Sequence, residues 1–216
     1  MQRRHTSNAW HVGVDVPQEL VFLGILAQQH AYRVPEVAAP ASAAEAAWQH
    51  WWQELPLHTH SVILDQVRQH ATTNDRVALS REAFAASQQW FDPPNFTSRA
   101  EVPELQKICQ AAWPEFSRSW QTEGGEGQAR LGALQDDIIH IKLGERLAAA
   151  WHKQAPKEAP LQFHLTAVLW PDSYERWLSS RHLLCSLASI SAPEEQARLI
   201  QRIIEGLSGL PGTSTT

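Results

Sequence analysis

Residues 161–169, Leu-Gln-Phe-His-Leu-Thr-Ala-Val-Leu, alternate between apolar and polar side chains and have a proline shortly before and after them. A period of two is the pattern of a β-strand with one buried face. In such a strand Gln162, His164 and Thr166 lie on the same face, because successive side chains point to opposite sides. This segment decides the fold class, since most of the remaining chain has the pattern of helix.

Two further segments have the length and composition of strands. Residues 182–190 form a second apolar run, and residues 9–16 alternate weakly near the N-terminus. Residues 171–180, between the two C-terminal strands, are long enough for one turn of helix. We therefore predict an α+β fold that is predominantly helical, with a small antiparallel sheet in the C-terminal third.

The clearest helix signal follows Ser42. The segment Ser42-Ala43-Ala44-Glu45 fits a capping box, in which the serine hydroxyl and the glutamate carboxylate satisfy each other's free backbone N–H groups. Trp48, Trp51, Trp52 and Leu55 then fall on one helical face, so they are expected in the core. We expect Trp52 to lie at the edge of that core.

Other segments also have helical periodicity or helix-starting residues. Ser80 is suited to cap a helix that runs to about residue 91 with Phe84 facing inward. Residues 17–32, 60–71, 103–120 and 193–207 carry apolar stripes at helical spacing. We predict one globular domain over residues 1–207, with a Pro/Ala linker at 34–41 inside it, and a disordered tail at 208–216.

Composition narrows the class of protein. Charged residues make up 19% of the chain and the net charge is −5, so the basic surface that nucleic-acid binding needs is not indicated. No apolar run approaches the ~20 residues of a transmembrane helix, and no signal-peptide pattern is present, so a cytoplasmic location and no membrane association are expected. Cys109 and Cys185 lie in apolar stretches and are expected to be buried thiols.

The polar segment between the two C-terminal strands is the favoured candidate site. It places aromatic, acidic and basic side chains together at strand ends, which is common in binding sites carried on loops. Arg181 and His182 are suited to contact an anionic group. The predicted binding residues are Trp170, Asp172, Tyr174, Arg176, Arg181 and His182. The alternative is a capped turn, with Asp172 as N-cap and the aromatic rings packed inward.

Histidines offer a second candidate chemistry. His58 and His60 are two residues apart, and zinc needs a third and usually a fourth ligand, for which His140, His164 and His182 are available. Residues 136–137, an aspartate pair, lie one helical turn before His140. Nothing in the spacing selects a ligand set, so no metal and no cofactor are predicted from the sequence.

The sequence favours a soluble interaction or binding protein of unknown ligand, because no catalytic constellation is visible. A protein partner or self-association is possible on this interpretation, with at least one exposed ring among Trp10, Trp120 and Trp177. The alternative is a small metal-dependent or acid–base enzyme that uses histidines from distant parts of the chain. It requires His58 or His60 to meet one of the later histidines.

Overall fold

The computed structural model describes residues 10–70, 75–121, 143–154, 161–170 and 172–208 of the 216. These residues form two compact units, a helical unit within residues 16–131 and a sheet unit within residues 1–15 and 132–216. The expected single domain over 1–207 stays a prediction. The tail predicted at 208–216 lies, beyond Ser208, outside the described residues.

The helical unit is built of α-helices joined by short connections. Its helices are α1 (Gln18–His30), α2 (Ala43–Glu54), α3 (His60–His70), α4 (Arg76–Ser87) and α5 (Pro103–Gln121). Two short 3-10 helices, Leu55–His58 and Thr97–Arg99, lie between them. Within the described residues, no helix is both long enough and apolar enough to cross a bilayer.

The tryptophans of α2 form the centre of the helical unit, as the sequence predicts. Trp48, Trp51 and Trp52 are each 0% exposed. The indole N–H of Trp48 donates to the carbonyl of Leu23, and that of Trp51 to the carbonyl of Trp90, both at 3.2 Å. The prediction that Trp52 lies at the edge is wrong, because its side chain is 0% exposed. Its ring stacks on Trp48 with centroids 5.4 Å apart.

The N-terminus of α2 has half of the predicted capping box. The Ser42 hydroxyl accepts the backbone N–H of Glu45 at 3.0 Å. The Glu45 carboxylate instead accepts the N–H groups of Ala41 at 2.6 Å and Arg33 at 3.1 Å. The glutamate therefore binds both ends of the connection at 34–41.

Helix α4 begins earlier than the sequence suggested. Its N-cap is Asp75, whose carboxylate accepts two backbone N–H groups of the first turn at 3.0 and 3.2 Å. Ser80 consequently lies inside the helix and not at its start. Phe84, expected to face inward, is 57% exposed.

The sheet unit contains four strands and three helices among its described residues. The strands are β1 (Trp10–Asp15), β2 (Leu161–Val168), β3 (Glu175–Ser179) and β4 (His182–Ser186), in the spatial order β1-β2-β4-β3. The helices are α6 (Leu143–Gln154), α7 (Leu187–Ser191) and α8 (Pro193–Ser208). The alternation of residues 161–169 and the weaker pattern at 9–16 thus correctly predicted β2 and β1.

The sheet is mixed, so the predicted antiparallel sheet is wrong. β1 and β4 both pair parallel with β2, and only β3 pairs antiparallel, with β4. Part of 171–180 forms β3 and not a turn of helix. This strand lies on the far side of β4, which allows β4 to run in the same direction as β2. Because β1 comes from the N-terminus, the sheet is only partly C-terminal.

One face of the three parallel strands carries the polar side chains. The register pairs Gly13 with His164, Asp15 with Thr166, and His164 with His182. Residues paired in this way, and residues two positions apart, lie on the same face of a sheet. All five therefore share one face.

The opposite face is apolar. Phe163, Leu165, Leu183 and Cys185 are at most 3% exposed. Trp177 of β3 packs edge-on against Phe163, with ring centroids 6.0 Å apart. Trp177 is nevertheless 40% exposed, in line with the expectation that at least one indole ring reaches the surface.

Candidate metal centre

Three potential metal ligands converge on the polar face of the sheet. Asp15, His164 and His182 each offer one ligand atom, and these atoms all lie within 4.8 Å of one another. The residues come from three adjacent strands, β1, β2 and β4, although the first two residues are almost 150 positions apart in the chain. We refer to them as the Asp15–His164–His182 cluster.

A glycine in β1 makes room for this cluster. A Cβ atom at Gly13 would lie 2.6 Å from Nδ1 and 2.9 Å from Cε1 of His164. Heavy atoms in ordinary contact are about 3.5 Å or more apart. The imidazole therefore lies against bare backbone, and any side chain at position 13 would displace it.

Hydrogen bonds and an ion-pair contact link the members of the cluster. Oδ1 of Asp15 lies 3.2 Å from Nε2 of His164 and accepts the Thr166 hydroxyl at 2.6 Å. The same hydroxyl oxygen lies 2.7 Å from Nε2 of His182. The two imidazoles are thus connected through one carboxylate and one hydroxyl, and their ring centroids are 4.6 Å apart.

The cluster is closed on one side and reaches the surface on the other. Thr166 is 0% and His182 is 5% exposed, whereas the side chains of Asp15 and His164 are 27% and 23% exposed. A substrate therefore has no access to the Thr166 hydroxyl, which argues against a nucleophilic role for this residue. Asp15 and His164 are the members whose side chains reach the surface, although Nε2 of His164 is itself buried.

Burial sets the charge of His182. Desolvation and the neighbouring His164 lower the pKa of His182 to about 4, and Asp15 offsets this only in part. The ring is therefore neutral at pH 7, which is the form of imidazole that coordinates metals. His182 then offers a neutral nitrogen ligand near the Asp15 carboxylate.

The donor set fits a first-row transition metal. Two imidazoles and one carboxylate are typical of catalytic zinc sites and of non-haem Fe(II) sites. Ligands about 2.05 Å from a tetrahedral zinc lie about 3.3 Å from each other. The 3.2 Å between Asp15 and His164 already matches this spacing. The most distant pair, at up to 4.8 Å, would have to close by on the order of 1 Å.

Of the six predicted binding residues, only His182 belongs to the cluster. Asp172 is exposed, and Trp170 and Arg176 are half-buried on either side of it along the chain. Tyr174 is held through its backbone, whose N–H donates to the Ser186 hydroxyl at 3.0 Å and whose carbonyl accepts the Ser186 N–H at 2.8 Å. A binding role for these residues stays a prediction.

Arg181 lies beside the cluster without joining it. Its carbonyl accepts the backbone N–H of His164 at 2.8 Å, and its guanidinium donates to the Gln162 side chain at 3.2 Å. Its side chain is therefore directed to the exposed end of β2. An anion contact of Arg181 together with His182 stays a prediction.

The histidine hypothesis named His164 and His182 as possible partners of His58 or His60, and not as partners of each other. His164 and His182 do come together, but His58 and His60 make their contacts within the helical unit. His58 stacks on Trp90 with centroids 3.6 Å apart, and Nε2 of His60 lies 3.3 Å from the Ser80 carbonyl. His140 and residues 136–137 lie outside the described residues.

Asp15 and Thr166 are the residues that sequence reasoning did not single out. A lone aspartate at a strand end carries no local motif. The available signal was Gly13, because glycine inside a strand often marks a close approach of another group. Comparisons of the chain with protein-family models, with curated proteins and with solved structures found no match.

Proposed function

We propose that this protein binds a divalent transition-metal ion, zinc being the first candidate, at the Asp15–His164–His182 cluster. We further propose that it is a small metal-dependent enzyme. The observation that carries the proposal is that three ligand atoms, one from each of three strands, lie within 4.8 Å of one another. Imidazole and carboxylate are among the commonest ligands of catalytic zinc.

A set of three ligands, as found among the described residues, favours a catalytic over a structural ion. Structural zinc sites have four protein ligands, whereas catalytic sites have three and leave one position for water. In the described part of the chain, Asp15, His164 and His182 are the residues grouped closely enough to share an ion. The Asp15 side chain is 27% exposed, and we propose that water reaches the ion from that side. A zinc-bound water with a pKa near 7 is a nucleophile suited to hydrolysis.

The proposal is tested by metal titration of the full chain. Protein stripped with a chelator is titrated with zinc, and stoichiometry is read by native mass spectrometry and affinity by competition with a fluorescent chelator. We expect one zinc per chain. In H164Q and H182Q we expect binding at least 100-fold weaker, because a ligand contributes more than the outer-shell contacts that cost about 10–100-fold.

The matched control is H50Q. His50 is an exposed histidine of α2 in the helical unit, so its substitution removes an imidazole without affecting the cluster. We expect H50Q to bind zinc as the unaltered protein does. The absence of a bound zinc in the unaltered protein, or equal affinities in H164Q and H50Q, would contradict the proposal. Turnover of chromogenic esters or phosphate esters only by the zinc-loaded form would support the enzymatic part.

An exposed apolar surface of the helical unit favours a second candidate function, a protein that binds a partner or a second copy of itself. Val77 and Phe84 of α4 are 60% and 57% exposed and lie seven residues apart, on one helical face. They line a groove of about 590 Å³ together with His60, Ser80 and Arg81. Sedimentation velocity of the unaltered protein and of a V77S/F84S variant tests self-association. A monomer at all concentrations would argue against it.

A further inference from the structure

The hydrogen bonds around Thr166 can be assigned by counting protons. A threonine hydroxyl has one proton, and an ionised carboxylate only accepts hydrogen bonds. The Thr166 hydroxyl donates to Oδ1 of Asp15 at 2.6 Å. Its oxygen is therefore the acceptor in the second contact, and Nε2 of His182, at 2.7 Å, must be the donor.

This assignment determines which ring nitrogen of His182 has a free lone pair. In a neutral imidazole one nitrogen carries the proton and the other is an acceptor. With the proton on Nε2, the unprotonated nitrogen of His182 is Nδ1. The tautomer of a metal-binding histidine is commonly fixed in this way by the hydrogen bond at its other nitrogen.

In His164 the nitrogen nearer to Asp15 is Nε2. Its Nδ1 lies against the backbone of Gly13, where a Cβ would be only 2.6 Å away. Its Nε2 lies 3.2 Å from Oδ1 of Asp15, on the side where the ligand atoms converge. Nε2 is therefore the nitrogen of His164 that is placed for an ion.

We propose that Thr166 is a positioning residue that holds His182 in the Nε2-protonated tautomer and orients the Asp15 carboxylate. An ion at the cluster would then be held by Asp15 and by one ring nitrogen each of His164 and His182. The ligand assignment rests on the proposed metal-binding function. The tautomer and the orientation of Asp15 are properties of the metal-free protein and do not rest on it.

The first test measures the tautomer directly. Long-range ¹H–¹⁵N correlation spectra of the full, metal-free chain at pH 7 distinguish the protonated from the unprotonated ring nitrogen of His182. We expect Nε2 to be protonated in the unaltered protein and in T166S, which keeps the hydroxyl. In T166V we expect a mixture of tautomers. Protonation at Nδ1 in the unaltered protein would overturn the proposal.

The second test measures zinc affinity in matched variants. Outer-shell hydrogen-bond partners of metal ligands typically change affinity 10–100-fold, so T166V is expected to bind zinc about that much more weakly. T166S is expected to bind zinc within about threefold of the unaltered protein, since the retained hydroxyl preserves the outer-shell contact.

T59V is the control for loss of a buried threonine hydroxyl. Thr59 is 0% exposed, donates to the carbonyl of Pro56 at 3.3 Å and belongs to the helical unit. T59V is expected to bind zinc normally, and equal affinities in T166V and T59V would overturn the positioning role. If the unaltered protein binds no zinc, the proposed function fails, and the spectra of His182 still decide the role of Thr166.

Discussion

Substitution of Gly13 by alanine tests the geometry of the cluster without removing any of its polar groups. The new Cβ would lie 2.6 Å from Nδ1 and 2.9 Å from Cε1 of His164. An ordinary contact requires about 3.5 Å, so the imidazole would have to retreat by about 0.9 Å. Because β2 fixes the backbone of His164, most of this movement must be made by the ring itself.

The expected effects follow from that displacement. Overpacking of a buried or half-buried position costs roughly 1–3 kcal/mol. For a chain of this size, each kcal/mol lowers the Tm by roughly 2–4 °C. Displacing a ligand by nearly 1 Å should weaken zinc binding at least as much as losing an outer-shell partner, about 10–100-fold.

The assay compares G13A with G206A. Alanine at Gly206 of α8 would place its Cβ 2.6 Å from Cζ2 of Trp177, whose ring packs on the apolar face of the sheet. Both variants are expected to lower the Tm, but only G13A should weaken zinc binding measured by chelator competition. If G13A binds zinc as tightly as G206A does, His164 is not a ligand of the ion.

Three further predictions concern stability and reactivity. W52A should lower the free energy of unfolding by about 3–5 kcal/mol, and W177A by much less because its ring is 40% exposed; equal costs in urea titrations would contradict the assigned core. Burial raises the pKa of Asp92, but hydrogen bonds from Ser98 and Thr97 lower it by more. The net pKa is therefore below the usual aspartate value. D92N should therefore be less stable than the unaltered protein by the full amount above the usual aspartate pKa. This difference should vanish as the pH falls through the lowered pKa of Asp92; a difference that persists in acid would refute this. Burial raises the pKa of Cys109 to about 12 and also raises that of Cys185, so neither thiol should react with a disulfide reagent at pH 8 until urea unfolds the chain; rapid reaction of the native protein would be the contrary result.

Local patterns predicted the elements whose residues carry a strong period. The alternation of 161–169 predicted β2, and the spacing of Trp48, Trp51 and Trp52 predicted the buried face of α2. In both cases burial of one face is the dominant force, and the spacing of the apolar residues shows which face it is. The position of Trp52 within that core depends on neighbouring segments, which the spacing does not describe.

Strand direction was not predictable from the same patterns. Residues 175–179, which form β3, are half-buried or exposed throughout and lack the alternation of a one-faced strand. Along the chain, β3 lies between β2 and β4. Without it, β2 and β4 were expected to pair antiparallel, whereas they pair parallel. The start of α4 at Asp75 and not at Ser80 has a similar cause, because both residues are good N-caps and the sequence offered no reason to choose.

The candidate site was only partly accessible to sequence reasoning. His182 was among the residues singled out, and His164 was considered as a ligand, but nothing local connects them to Asp15. Their meeting depends on the register in which β1 pairs with β2 and β2 with β4. Register between distant strands is a property of the folded chain.

The most direct test of the account is the location of the metal itself. Crystals of the zinc-loaded protein are measured at the zinc absorption edge, and the anomalous difference map is inspected. We expect one strong peak within about 2.0–2.2 Å of an Asp15 oxygen and of one ring nitrogen each of His164 and His182. A map without a peak at these three residues, or with zinc bound at other histidines alone, would show that the Asp15–His164–His182 cluster is not a metal site.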